Sequence, residues 1–227
     1  MALFSRTPRR SPNPEKLAAA LPEGPLRDFA AAVIQPDSTP ADQLRLLAVD
    51  VETTGLDPKT DRLLSIGFVP VDGQAIRLAG AGHLVIRSDA EVGQSATIHR
   101  ITDDQLAAGV EPAEALTALL TALRGRLLLA HHAVIETGFL DVAMRRVWGA
   151  GVPIPTVDTM QLQYQLLTKG FDDEPPPGAL RLWGARDQYG LPRYRAHEAL
   201  TDALACAELY LAQVSELGWQ TPLKKLR

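Results

Sequence analysis

The sequence predicts an α/β fold in which one mixed sheet is covered by helices. Three observations predict it. Strand-like apolar segments fill the first half and meet at an Asp72-Gly73 hairpin signal, which makes that half antiparallel. The second half alternates short apolar runs with longer helical segments. Proline and glycine mark the starts and stops of those helices. At 227 residues, the length suits one domain with an extension and a sizeable core.

Taken in order, residues 1–14 place Pro8, Pro12 and Pro14 among Ser, Thr and Arg and read as disordered. Short helices over 15–34, broken at Pro22 and Pro25, lead to a turn-rich linker from Gln35 to Pro40. Residues 44–52 form the first strand, Leu63 to Val71 the second and 75–79 the third, with His83 to Arg87 a further extended piece. Thr102 N-caps a short helix that runs to Ala108, and Pro112 opens a longer one stopped by Gly125. Leu127 to Ala130 is a short buried strand, followed by a helix over 136–148. Thr156 to Asp158 is a small strand, and helices follow at 159–168, 178–189 and 198–217. The domain boundaries read as an extension over 1–40, a folded domain over 41–218 and a basic tail over 219–227.

Hydrophobic content of 46% and charged content of 22% are ordinary for a soluble globular protein. The single cysteine, Cys206, excludes an internal disulfide framework, so a reducing cytoplasm is the default setting. No apolar run approaches the ~20 residues of a membrane span. Arg9-Arg10 is followed by Ser-Pro-Asn-Pro instead of an apolar segment, so it is not an export signal. The net charge of −4 does not advertise nucleic-acid binding, but both ends are basic. Arg6, Arg9 and Arg10 lie at one end and Lys224, Lys225 and Arg227 at the other, either as phosphate contacts or as solvated tails.

The chemistry is concentrated in Leu46-Leu47-Ala48-Val49-Asp50-Val51-Glu52-Thr53-Thr54-Gly55. An apolar strand ends in two carboxylates one residue apart, and residues i and i+2 of a strand point to the same face. Two such anions repel and lose hydration unless a cation holds them. Oxygen ligands suit Mg²⁺ or Mn²⁺. A second candidate is His197-Glu198-Ala199-Leu200-Thr201-Asp202-Ala203. Five helical positions turn a side chain by roughly 140°, so Asp202 belongs on the inner face of a helix and His197 in the turn before it. The third is His131-His132-Ala133-Val134-Ile135-Glu136, where a strand runs into a helix with Glu136 in its first turn. Alone, these last two segments also fit an amphipathic helix and an N-terminal helix acid. Asp158 reads as a helix cap, Asp187 as a helix-surface acid, and Trp148, Trp183 and Trp219 as packing residues.

Together these segments resemble the DnaQ-like 3′–5′ exonucleases of the DEDDh subgroup, which includes the proofreading subunit of bacterial DNA polymerase III. Asp50-Val51-Glu52-Thr53-Thr54-Gly55-Leu56 resembles the first motif, His131 to Leu140 the second, and His197 to Ala203 the third. Ile98-His99-Arg100-Ile101-Thr102 resembles the His-x-Ile-Thr element between the first two. The tyrosine subgroup would place Tyr where Glu198 stands, so the histidine subgroup fits better. Two departures fall in the second motif: Glu136 occupies the usual Asp position, and His132 the usual Asn.

The resemblance implies a ribonuclease H-like mixed five-stranded sheet flanked by helices. It implies hydrolysis from a free 3′ end with two divalent cations, Mg²⁺ or Mn²⁺, held by Asp50, Glu52, Asp202 and Glu136. His197 is then the general base, Thr53, Thr54, Gly55 and Leu56 line the terminal nucleotide pocket, and His99 and Ile101 flank the terminal base or sugar. Single-stranded DNA or RNA 3′ ends are the implied partners, with a DNA polymerase or repair protein beside them and no membrane. Arg193-Tyr194-Arg195 is either a grip on the incoming strand or an exposed loop. One alternative is an RNA-trimming enzyme of the ribonuclease T or oligoribonuclease kind. Thr53 after the glutamate favours the proofreading branch over oligoribonuclease, which has Glu-Met-Thr-Gly there. A second alternative, motivated by Glu136, is a catalytically weak module that binds nucleic-acid ends or a polymerase.

Overall fold

The computed structural model describes residues 14–32, 35–88, 101–169 and 174–227. The sheet is built from β1 (Arg45–Thr53), β2 (Leu63–Asp72), β3 (Ala75–Ile76), β4 (Gly82–Val85), β5 (Leu127–Ala130) and β6 (Thr156–Asp158). Its order is β3-β2-β1-β5-β6, with β4 also paired to β2. β1, β2, β3 and β4 pair antiparallel, whereas β5 joins β1 in parallel and β6 joins β5 in parallel. The mixed sheet read from the sequence is therefore present. Its count is six strands rather than five, because the extended piece near His83 pairs with β2 from Ser65 to Phe68.

Helices cover both faces. They are α1 (Pro14–Ala19), α2 (Pro25–Ala30), α3 (Asp103–Ala107), α4 (Pro112–Leu123), α5 (Val134–Trp148), α6 (Thr159–Thr168), α7 (Leu182–Gln188) and α8 (Ala199–Leu217). Alternation along β1 sorts the core. Leu47 and Val49 pack with Phe29 of α2, Leu119 of α4 and Met144 of α5. Leu46 and Ala48 pack with Ala203, Cys206 and Tyr210 of α8. The same period of two assigns Asp50 and Glu52 to the α8 face.

Local signals account for most boundaries. Thr102 caps α3 through a full capping box with Gln105, and Pro112 opens α4 where a missing N–H costs nothing. Asp158 accepts from the Met160 and Gln161 amides at the start of α6, as a cap should. Three expectations need correction. The third strand stops at Ile76 because Arg77 would pair with Pro70, which accepts its N–H but has none to return. α7 begins at Leu182 rather than 178, since turns at Pro176 and Gly178 precede it. The segment read as a basic tail is folded onto the domain. Leu223 and Leu226 are buried, and Pro222 bridges to Pro40. Residues 1–13 and the element at His99-Arg100 lie outside the described residues.

One glycine fixes how α8 meets the sheet. Gly67 pairs with Asp50 across the β1–β2 ladder, and a Cβ there would collide with the backbone of Ala199 and Leu200. Gly67→Ala is expected to destabilise the fold by about 1–3 kcal/mol through overpacking. Urea unfolding measures this, and an unchanged midpoint would show that α8 yields at no cost.

Candidate active site

Asp50 and Glu52 occupy the C-terminal end of β1, just before a register shift between Glu52 and Thr53. Asp202 lies in the first turn of α8, which the close approach at Gly67 lays against β2. Ligand oxygens from Asp50, Glu52 and Asp202 all come within 4.8 Å of one another. Glu136 stands outside this triad in the first turn of α5. It is only 4% exposed, and its charge acts on Asp50.

Burial and mutual repulsion set the electrostatics. The Asp50 carboxyl is pushed well above the usual range by burial, then by the charges of Glu136, Asp202 and Glu52. Glu52 rises to about 7 through burial, then through Asp202 and Glu198. Burial also raises Glu136, opposed by a backbone hydrogen bond and helped by Asp158. Burial raises Asp202, against the amide and charge of His197. Glu52 Oε1, Glu136 Oε2 and Asp202 Oδ1 are buried without a hydrogen-bond partner among the described residues. Buried polar atoms without a partner are rare enough to need a cause. An all-oxygen, multiply anionic donor set fits a hard divalent cation.

His197 sits in the turn before α8, exposed, with φ of 66°. Its backbone N–H donates to Asp202 Oδ2 at 3.0 Å, which fixes the turn to the triad. The left-handed backbone costs on the order of 1 kcal/mol for a residue with a Cβ. The two histidines of the second motif have structural roles. His131 is half-buried between Thr159 Oγ1 at 2.9 Å and the Leu180 carbonyl at 2.8 Å, and desolvation of its ring lowers its pKa to about 4. His132, with φ of 76°, donates its amide to Asp158. Asp158 also accepts from the Ala133 amide, so one carboxylate serves the starts of both α5 and α6.

The loop after β1 is held from within. Thr53 Oγ1 donates to the Gly55 carbonyl at 2.6 Å, and Asp61 accepts from the Asp57 amide at 2.8 Å and from Thr54 Oγ1 at 3.4 Å. A Cβ on Gly55 would strike the Asp61 carboxyl. This leaves Leu56 at the loop surface, 77% exposed. Ile101, expected to flank the terminal nucleotide, is buried with Leu64 and Leu106 just before the capping box of α3. Arg193 pairs with Asp187, and the Tyr194 hydroxyl donates to Glu208, so two residues of that motif hold the loop itself. Asp61 and the second task of Asp158 escaped the sequence reading. The turn-forming Asp57-Pro58 with an acid four residues after Asp57 was the available signal for Asp61.

The exonuclease family model matches residues 47–210, from β1 to α8. The chain belongs to the exonuclease family. This exonuclease-family domain is 31% identical over 176 residues to the PolC-type DNA polymerase III of Thermotoga maritima, covering 77% of the chain and 12% of the polymerase. It is 29% identical over 168 residues to the DNA polymerase III subunit epsilon of Treponema pallidum, covering 74% of the chain and 75% of that protein. The DnaQ-like resemblance read from the motifs is thus borne out. E. coli exonuclease I bound to single-stranded DNA superposes with a TM-score of 0.64 at 16% identity, over 77% of this chain and 41% of that one. Cell-death related nuclease 4 gives 0.66 at 14% identity, over 79% and 66%. These structures share the ribonuclease H-like fold. The chain spans about a tenth of the PolC-type relatives and less than half of exonuclease I. No helix among the described residues is long and apolar enough to cross a membrane.

The raised carboxylates make stability depend on pH. A folded pKa of about 7 for Glu52, above its unfolded value of 4.5, means that the folded state binds more protons between those limits. In EDTA the melting temperature is expected to fall as pH rises from 4.5 through 7. Mg²⁺ or Mn²⁺ should restore it most at pH 8, and a melting curve indifferent to pH and metal would contradict the cluster as a cation site.

Proposed function

We propose that this exonuclease-family domain hydrolyses phosphodiester bonds from the 3′ end of single-stranded DNA, in preference to RNA, releasing nucleoside monophosphates. The observation that carries the reading is the buried convergence of Asp50, Glu52 and Asp202 with carboxylate oxygens left unpartnered. Two divalent cations, Mg²⁺ or Mn²⁺, bound there would polarise the scissile phosphate and acidify the attacking water. Asp50, Glu52 and Asp202 would hold them directly, with Glu136 as a direct or water-mediated fourth ligand.

His197 takes the proton from the attacking water. Imidazole suits that task near neutral pH, and this one is exposed in a turn tethered to Asp202 by its own amide. Thr53, Thr54 and Gly55 offer backbone groups to the terminal nucleotide, and the exposed Leu56 offers an apolar surface for its base. Relatives named as DNA polymerase III proteins, and a neighbour bound to single-stranded DNA, support DNA as substrate and a polymerase or repair protein as partner in the cytoplasm. Glu136 is buried and acts on Asp50, which supports a working site over a catalytically weak module.

The purified protein is expected to release nucleotides from 3′-labelled single-stranded DNA in Mg²⁺ or Mn²⁺, faster than from RNA, and to stop in EDTA. No metal-dependent release from either substrate would sink the reading. His197→Ala should lower kcat by about 10²–10⁴-fold while calorimetric Mn²⁺ affinity stays unchanged. Glu136→Asp withdraws the carboxylate by one methylene and should lower kcat by about tenfold or more, measured on the same substrate. An unaltered rate would place Glu136 outside the site.

A further inference from the structure

A second feature lies on the other side of the β1–β2 loop. A cleft of about 310 Å³ opens there, lined by Arg62, Arg87 and Arg146 around an apolar floor that includes Leu63, Ile86 and Leu116. Its floor belongs to the α4–α5 core, so it lies on the face of the sheet opposite the α8 face that carries the carboxylates. Its position along the sheet is nonetheless the same, because Leu63 pairs with Thr53 at the end of β1. Residues 54–62 link the ends of β1 and β2; Leu56 among them is exposed, and Arg62 lines the cleft.

Three guanidinium groups around one small cleft need explaining in a chain of net charge −4. Only Arg87 has a carboxylate partner among the described residues, Glu111 at 2.6 Å. Arg146 donates to the Lys59 carbonyl at 3.0 Å, which ties the loop to α5 without neutralising its charge. Among the described residues, the charge around the cleft is net positive and faces solvent beside apolar surface. Arginine forks match phosphate oxygens, and the apolar floor suits a base or sugar.

On the exonuclease reading, the 3′ end of the strand being digested stops in the pocket of Thr53 to Leu56, so that strand does not continue to this cleft. At a recessed 3′ end, however, the complementary strand does continue. We infer that the Arg62–Arg87–Arg146 cleft binds the phosphodiester backbone of the uncleaved strand where it runs beyond the 3′ end as an overhang. This inference rests on the exonuclease reading and extends its substrate from a single strand to a duplex end with a 5′ overhang.

The test compares fluorescence anisotropy of the full chain in Ca²⁺ with a labelled single strand and with a duplex whose complement carries a 5′ overhang. Arg62→Ala combined with Arg87→Ala should weaken overhang-duplex binding by about tenfold and leave the single strand within about twofold. Losing two phosphate contacts to a single-stranded overhang should lower the log–log salt slope by about 1.4. Glu111→Gln, which releases Arg87, should tighten the duplex alone. Equal weakening on both substrates overturns the inference, as does no change on the duplex, which would leave the cleft to an acidic protein surface. A wild-type protein that neither binds nor cuts the single strand fails the exonuclease reading itself, whereas one that cuts it while these variants remain indifferent fails only the cleft.

Discussion

Repulsion among four carboxylates in one buried corner is the constraint around which the rest of the domain is arranged. Asp50, Glu52, Glu136 and Asp202 come from one strand and two helices, and burial is the leading cause of the raised pKa of each. Left alone, such a cluster drives the elements that carry it apart. Two apolar layers, one on each face of β1, oppose that tendency. The domain thus stores unfavourable charge at one end of a well-packed sheet, which is what a binding site for a cation requires.

Residues without a chemical role hold that corner in place. Gly67 lets α8 settle onto β2, and Asp61 braces the loop that follows Glu52. Arg186 is 1% exposed, donates to the carbonyls of Ala205 and Pro192, pairs with Glu208, and lies against the rings of Trp183 and Tyr194. It thereby fixes the segment that leads to His197. Some of these contacts are local and others, such as Gly67 against Ala199 and Arg186 with Glu208, join distant positions; their value is positional, since about 1 Å of misplacement in such a site costs on the order of 10²-fold in rate.

The sequence was most legible where the signal is local. Thr102, Pro112 and the alternation in β1 fixed their elements, and the i, i+2 spacing alone put Asp50 and Glu52 on one face. Asp202 was different. Its helical offset from His197 separated helix from turn but gave no reason to bring either to β1, and the family resemblance supplied that step. For Ile101 the motif gave a position but no side-chain direction, and its packing with Leu64 and Leu106 was not legible in it. The fold of 219–227 was illegible for another reason: Lys224 and Lys225 dominate its composition, while Leu223 and Leu226 on either side of them find the core. Contacts such as Gly67 against Ala199 leave no mark in one sequence.

Asp158 carries a consequence for how this domain varies. One carboxylate accepts amide hydrogens from His132, Ala133, Met160 and Gln161, so two helix starts share a single anchor. A lesion there would swing Glu136 and leave every proposed ligand chemically intact. Scored by turnover alone, Asp158 would be indistinguishable from a ligand. Any replacement at this position would have to re-satisfy the amides at both helix starts at once, so the two helices are set by one side chain.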